Sequence, residues 1–245
     1  MVDQRSETDL KDKAVLVTGA SSGIGRAMAE AFADQETKLA LCALPADRDR
    51  LDQIALGMRG RAKEVITIAA DLTLDDDLLE VVPQVRRRLG KVDILINNAG
   101  LFQRADVADA PLADFDRCMR LNLRAPFVLA KHVIPEMVER RWGRIINIAS
   151  SSAYSGYAGT GVYCASKHGL LGLCRSMHEE LRRFGIRVSV IAPSDTDTPG
   201  YRADFAVKDE STLIQPSELA RTAVFLARSC GEGALAEVRV TRMRG

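Results

Sequence analysis

Seven short apolar runs, separated by segments of helical period, are the feature that most limits how this chain can fold. They lie at residues 14–18, 39–43, 65–70, 93–97, 144–149, 186–192 and 237–241. Most lack the polar alternation of a strand with one wet face, so they predict strands covered on both sides, as in a parallel sheet. The first intervening segment carries Ile24, Ala27, Met28, Ala31 and Phe32, an i, i+3, i+4, i+7, i+8 stripe that reads as an amphipathic helix. Further helices are expected at 47–58, 75–89, 112–140, 162–184 and 216–229. Regular strand–helix alternation implies right-handed crossovers and a doubly wound, seven-stranded α/β sheet with helices on both faces. With 245 residues, 47 % of them hydrophobic, the chain can cover both faces of such a sheet. No linker, repeat or low-complexity tract divides it, so residues 1–245 read as one domain. Residues 1–12 are polar and are expected to form a flexible N-terminus. Residues 193–215 are long and irregular for a connection and are expected to form a substrate lid.

The charge balance narrows the function. Thirty-four basic against 33 acidic residues leave a net charge of +1, without the basic stripe of a nucleic-acid binder. The short basic runs at Arg86–Arg88, Arg140–Arg141 and Arg182–Arg183 fall near predicted helix ends, where cations meet the negative end of the helix dipole. Five cysteines with no C-x-x-C pair argue against a zinc site or a disulfide framework, and no metal is expected. The start of the chain has no apolar core of a signal peptide. No stretch approaches the roughly 18 apolar residues of a membrane span. The expectation is a cytoplasmic protein with reduced thiols, partnered by neither nucleic acid nor membrane.

The first strand runs into Gly19-Ala-Ser21-Ser22-Gly23-Ile24-Gly25, which opens the first helix. Glycines allow close backbone approach, and the helix N-terminus offers unpaired N–H groups to a pyrophosphate. A tight strand-to-helix turn would also use such glycines. The spacing is G-x-x-x-G-x-G, not the common G-x-G-x-x-G.

Tyr163 and Lys167 stand four residues apart on a predicted helix, hence on one face about one turn apart. A free phenol has a pKa of about 10, and a neighbouring ammonium lowers it. The pair is then a proton donor and acceptor suited to a carbonyl/alcohol couple. Ser150 lies at the C-terminal end of the fifth predicted strand, where doubly wound sheets bind ligands. Its hydroxyl can meet the charge that develops on a substrate oxygen. Pro126 has no N–H to give the carbonyl of Asn122. That carbonyl is therefore expected to be open to a water, or the helix to be kinked.

Together, Thr18-Gly-Ala-Ser-Ser-Gly-Ile-Gly25, Asn97-Asn-Ala-Gly100, Asn122, Ser150, Tyr163-Cys-Ala-Ser-Lys167 and Ala192-Pro193 resemble the short-chain dehydrogenase/reductase family over residues 13–229. The resemblance implies a Rossmann-like fold and an NAD(P)-dependent oxidoreductase acting on CH–OH or C=O. In it Tyr163 exchanges the proton, and Lys167 lowers the Tyr163 pKa and holds the nicotinamide ribose. Ser150 polarises the substrate oxygen, and Asn122 supports a water relay. It also implies cofactor contacts at Gly19, Ser21, Ser22, Gly23, Ile24, Gly25, Asp71, Leu72, Asn98, Ala99, Gly100, Tyr163, Lys167, Pro193, Thr196 and Thr198. Among these, Asp71 meets the adenine amino group and Asn98 lies beside the adenine ribose.

The chain departs from the family at Pro193-Ser194-Asp195, where Pro-Gly and an apolar residue are usual, so that a carboxylate is expected near the nicotinamide. It departs again at its end, Val240-Thr-Arg-Met-Arg-Gly245, where an Asp-Gly-Gly-like ending is usual. The second strand ends at Ala43-Leu44 without the acid that binds an NAD ribose. Ser22 and Leu44 fill the usual basic positions, and Arg48 and Arg50 follow. The expected cofactor is NADP, with NAD as the alternative. The expected substrate is a 3-oxoacyl thioester or a small ketone, against pocket walls that include Phe102, Arg104, Tyr154, Tyr157, Tyr201, Arg202, Phe205 and Lys208. A homodimer or homotetramer is expected from the long apolar helices 112–140 and 162–184. The rival readings are a non-catalytic, nucleotide-sensing regulatory protein of the same fold and a sugar-nucleotide epimerase, the latter disfavoured by the short C-terminal part.

Overall fold

The computed structural model describes residues 7–206 and 209–243. Its strands are β1 (Ala14–Thr18), β2 (Lys38–Ala43), β3 (Glu64–Ala69), β4 (Ile94–Asn97), β5 (Gly143–Ile148), β6 (Ile186–Pro193) and β7 (Glu237–Val240). They form one sheet in the order β3-β2-β1-β4-β5-β6-β7, every pairing parallel. Each expected strand appears within a residue or two of its predicted position. The apolar runs without alternation are buried throughout β1, β4 and β5, because helices cover both faces.

One face carries α3 (Asp75–Leu89), α5 (Ala125–Arg140) and α6 (Gly161–Leu181), which bury Val81, Val85, Leu129, Val133, Leu170 and Cys174 against it. The other carries α1 (Gly23–Ala33), α2 (Arg48–Gly57) and α8 (Pro216–Arg228). They bury Met28, Phe32, Leu51, Ile54, Leu219 and Leu226. Two hydrophobic layers thus sandwich the sheet, as the apolar composition allowed. The basic runs do sit at helix ends: Arg86–Arg88 fill the last turn of α3 and Arg140 that of α5.

The helix expected over 112–140 is built in three parts. α4 (Leu112–Met119) leads into a π-helical turn at Arg120–Arg124, and α5 continues from it. Within the turn the Ala125 N–H donates to the Arg120 carbonyl, an i→i+5 bond. Pro126 explains the change of register, since it cannot donate to Asn122 four residues back. Such turns recur at functional sites, and Asn122 lies inside this one, fully buried.

The start of the chain is a correction. Residues 1–6 of the expected flexible segment lie outside the described residues, but the rest is held. The Thr8 N–H donates to the Arg228 carbonyl at 2.6 Å and the Asp12 N–H to the Glu36 carbonyl at 3.1 Å. Leu10 is 2 % exposed, in the core beneath α1 and α8. A single apolar residue in a polar run has no period to betray it.

The order of strands reverses between β1 and β4, which start crossovers in opposite directions. A crevice opens there at the carboxyl ends of the strands, the place where open α/β sheets bind ligands. Among the described residues, no helix is long and apolar enough to cross a membrane.

Candidate active site

A cleft of about 350 Å³ occupies that crevice. Its floor is the loop between β1 and α1. Gly19 and Gly23 have φ of +65° and +51°, a region open to glycine at little cost. Gly25 is required by space instead: a Cβ there would lie 2.2 Å from the Gly19 carbonyl oxygen and 2.4 Å from Asn98 Nδ2. Ser22 precedes α1 without a side-chain cap bond. The first backbone N–H groups of α1 therefore face the cleft as an anion site.

The Asn-Asn-Ala-Gly segment braces this loop. Thr18 Oγ1 accepts from the N–H groups of Asn98 and Ala99, both at 3.0 Å. Asn98 Nδ2 donates to the carbonyls of Thr18 at 2.9 Å and Gly19 at 3.2 Å. The Asn98 side chain is thus a strut that ties the end of β4 to the end of β1. The place expected beside a ribose falls to its backbone and to Ala99 and Gly100, which line the cleft.

Gly19, Ser21, Ser22, Gly23, Ile24, Asp71, Leu72, Asn98, Ala99, Gly100 and Thr198 all line the cleft. Gly25 packs behind the loop. Pro193 and Thr196 stand apart from this lining: Pro193 ends β6, and Thr196 Oγ1 donates to the Ser194 carbonyl at 2.9 Å. Asp71 Oδ1 accepts from the Thr73 N–H and hydroxyl at 2.9 and 2.7 Å, which fixes the carboxylate at the cleft wall. Sequence reasoning passed over Asp47, Thr73 and Arg117, which also line it. Only Asp47 left a signal, as an acid about 20 residues after the glycine loop, and it had been absorbed into a predicted helix start.

Tyr163, Lys167, Ser150 and Asn122 stand outside this lining, with Asn122 and Lys167 just behind Gly100. Positions 163 and 167 fall on one face of α6 as predicted, with Lys167 Nζ 5.7 Å from the Tyr163 ring centroid. Lys167 is buried and donates to the Ile148 carbonyl at 2.9 Å. Ser150 lies two residues past β5, and its hydroxyl pulls the Tyr163 pKa down against burial. The Asn122 amide pairs with the Leu101 backbone in both directions, Oδ1 accepting at 2.8 Å and Nδ2 donating at 2.9 Å. It also donates to Ser166 Oγ at 3.0 Å. A Cβ on Gly100 would stand 3.5 Å from Asn122 Oδ1 and 3.6 Å from Lys167 Nζ, so glycine there joins the catalytic end to the cleft.

The electrostatics correct one expectation. The Tyr163 pKa is not lowered on balance. Burial pushes the phenol up to about 12, against the opposing pull of the Ser150 hydroxyl. Burial likewise pushes the Lys167 ammonium down to about 8. Both shifts disfavour the charged form, as desolvation must.

The Asp195 carboxylate has a partner of its own. It pairs with Arg242 at 3.1 Å, and burial together with its charge raises the Tyr201 pKa. The unusual residue after β6 and the unusual tail therefore satisfy each other. Tyr201 and Phe205 stack at 4.7 Å, Phe205 meets Phe102 at 5.3 Å, and Phe102 packs edge-on to Tyr163 at 5.0 Å. Part of the expected lid, α7 (Pro199–Asp204) and Phe205, thereby reaches Tyr163 through aromatic contacts. Residues 207 and 208 of that lid lie outside the described residues. Tyr154 leaves the expected pocket wall, its hydroxyl donating to Glu237 at 2.7 Å.

The model of the short chain dehydrogenase family matches residues 13–208. The chain belongs to this family. It is an NAD(P)-dependent oxidoreductase, an enzyme acting on CH–OH or C=O groups. The chain is 31 % identical to a 3-oxoacyl-(acyl-carrier-protein) reductase of Thermotoga maritima, over 89 % of this chain and 91 % of that relative. Among solved structures, it resembles a metagenomic short-chain oxidoreductase in complex with NADP, at 29 % identity and a TM-score of 0.84, over 97 % of this chain and all of that one. A short-chain dehydrogenase from Sphingobium yanoikuyae in complex with NADPH is 34 % identical with a TM-score of 0.79, over 86 % and 83 % of the two chains.

Proposed function

We propose that this enzyme reduces a small ketone or a 3-oxoacyl thioester, with NADP(H) preferred and NAD(H) as the alternative. The observation that carries the reading is the grouping of Ser150, Tyr163 and Lys167, with Lys167 behind Gly100 at the wall of a glycine-floored cleft. The bound nicotinamide would supply or take the hydride. Gly19 to Gly25 and the N-terminus of α1 hold the pyrophosphate, and Asp71 and Leu72 flank the adenine. Tyr163 gives its proton to the carbonyl oxygen while Ser150 orients that oxygen. Lys167 anchors the nicotinamide ribose, and the Asn122 carbonyl holds a relay water. A phenol held near 12 keeps its proton across the neutral range, which suits donation and hence reduction.

NADP(H) is favoured by the NADP and NADPH complexes of the two structural relatives and by Ala43 at the end of β2. The thioester reading leans on the Thermotoga relative, and the rings of Phe102, Tyr201 and Phe205 suit a partly apolar substrate. The oxidoreductase relatives favour the enzyme over a nucleotide sensor. An absorbance assay at 340 nm over a panel of ketones, 3-oxoacyl thioesters and alcohols tests the reading. Oxidation of NADPH by at least one member is expected; inertness across the panel with both cofactors would refute it.

The pH dependence follows from Lys167. Its ammonium is charged at pH 7 and loses its proton near pH 8. Dinucleotide affinity of the free enzyme is therefore expected to fall as pH rises from 7 to 9. In Lys167→Met the profile over that range should be flat. A sloping profile in the variant would assign the titration to another group.

We further propose a homodimer or homotetramer in a reducing, cytoplasmic setting. A hollow of about 650 Å³ between α4, the π turn, α5 and α6 is lined by Met119, Leu123, Phe127, Gly169 and Leu173, with Phe127 47 % exposed. A second copy covering it would explain the exposed apolar surface. The thiols of Cys42, Cys118, Cys164 and Cys174 are buried, in keeping with that setting. Light scattering at micromolar concentration should give at least twice 26.7 kDa.

A further inference from the structure

The expected preference for NADP rested on the absence of an acid at Ala43-Leu44 and on the nearness of Arg48 and Arg50. The fold rearranges these charges. After β2 the chain meets Pro45, which forces it into a short 3-10 turn, Pro45–Asp47, ahead of α2. The turn doubles back toward the glycine loop. Asp47 Oδ2 accepts from Ser21 Oγ at 2.9 Å, and Asp47 lines the cleft together with Ser21, Ser22, Ala43 and Leu44. The same cleft is lined by Ser22 and Gly23 at the α1 N-terminus and by Asp71, the places assigned above to the pyrophosphate and the adenine. The piece of a dinucleotide between those two is the adenosine ribose. An acid reaching this point from the loop after the second strand does the work of one at the strand end, where a carboxylate binds the ribose 2′-hydroxyl.

The two arginines are held by acids. Arg48 Nε stands 3.7 Å from Asp52, and Arg50 Nη1 stands 3.7 Å from Asp47 Oδ1. Neither lines the cleft. A 2′-phosphate bound here would face the Asp47 carboxylate at short range, and like charges in a part-buried cleft repel.

We propose that Asp47 is a cofactor-specificity residue: held by Ser21, its carboxylate accepts the ribose 2′-hydroxyl and penalises a 2′-phosphate, so that NAD(H) stays usable beside NADP(H). This rests on the oxidoreductase reading of the cleft. Removing the charge at Asp47 should relieve the repulsion and also release Arg50 toward the phosphate.

Calorimetric titration of the purified protein with NADH, NADPH, 5′-AMP and 2′,5′-ADP tests the assignment without turnover. In Asp47→Asn the NADPH-to-NADH affinity ratio should rise at least tenfold, and 2′,5′-ADP should gain on 5′-AMP in parallel. Asp47→Glu keeps the charge and should stay within threefold of the wild-type ratio, which separates charge from damage to the turn. In the Asp47→Asn background, Arg50→Ala should reverse part of the gain for NADPH. A ratio unchanged within twofold in Asp47→Asn, with both dinucleotides still bound, would overturn the assignment alone. A wild-type protein that binds neither dinucleotide would overturn the oxidoreductase reading and this assignment with it.

Discussion

Tyr163→Phe is expected to lower kcat by about 10²–10⁴-fold, the range attributed to a positioned general acid, while leaving dinucleotide affinity within threefold of wild type. The change removes one oxygen from a ring that is otherwise fixed. Phe102 holds the ring edge-on at 5.0 Å, and the α6 backbone places it one turn from Lys167. Ser150 Oγ accepts from the Ser152 N–H at 3.1 Å, so that corner keeps its shape. A barrier increase of about 3–5 kcal/mol therefore reports proton transfer and not collapse of the pocket. Single-turnover absorbance at 340 nm, with calorimetric binding of NADPH beside it, makes the measurement. Retention of more than a tenth of wild-type kcat would remove Tyr163 from the role of proton donor.

Gly25→Ala should act at the phosphate loop, and on binding where Tyr163→Phe acts on turnover. The added Cβ would meet the Gly19 carbonyl at 2.2 Å and Asn98 Nδ2 at 2.4 Å. One obstacle is backbone, and the other is an amide already committed to two carbonyls of the same loop. Neither can yield by rotating a side chain, so α1 must move away from the end of β4. Overpacking of this kind costs about 1–3 kcal/mol of stability. Displacing the α1 N-terminus also takes its N–H groups out of line with a pyrophosphate. A loss of dinucleotide affinity of about 100-fold, roughly 2.7 kcal/mol, is the expected outcome. Thermal unfolding and calorimetric titration of the same variant check both parts. Near-wild-type binding would mean that the loop is not the phosphate cradle.

The two variants separate the chemistry from the scaffold. Tyr163 sits on a helix whose position is fixed by Leu170, Leu171 and Cys174 in the core below it. Gly25 sits where two strand ends meet across the switch in strand order. Loss at one should leave the other intact, because α6 and α1 lie on opposite faces of the sheet.

By itself the sequence determined whatever depends on short-range pattern. Unbroken apolar runs mark strands buried on both faces, since only helices above and below a parallel sheet can cover them. Glycines at 19, 23 and 25 mark a strand-to-helix turn because positive φ and close packing leave few other residues usable there. A four-residue spacing places Tyr163 and Lys167 on one helix face for the same geometric reason, and Pro126 announces the break in register that became a π turn. What the tertiary structure alone decided are the relations between segments far apart in the chain. Asp47 became part of the cleft because the turn after Pro45 carries it to Ser21, 26 residues away. Asp195 found Arg242, 47 residues on. Leu10 entered the core, and the Asn98 side chain became a strut between two strand ends. Lys167 and Tyr163 took their shifted pKa values from burial, which depends on everything packed around them. Charge, hydrogen bonding and desolvation act through space, and a spacing rule reports only what lies within a turn or two along the chain.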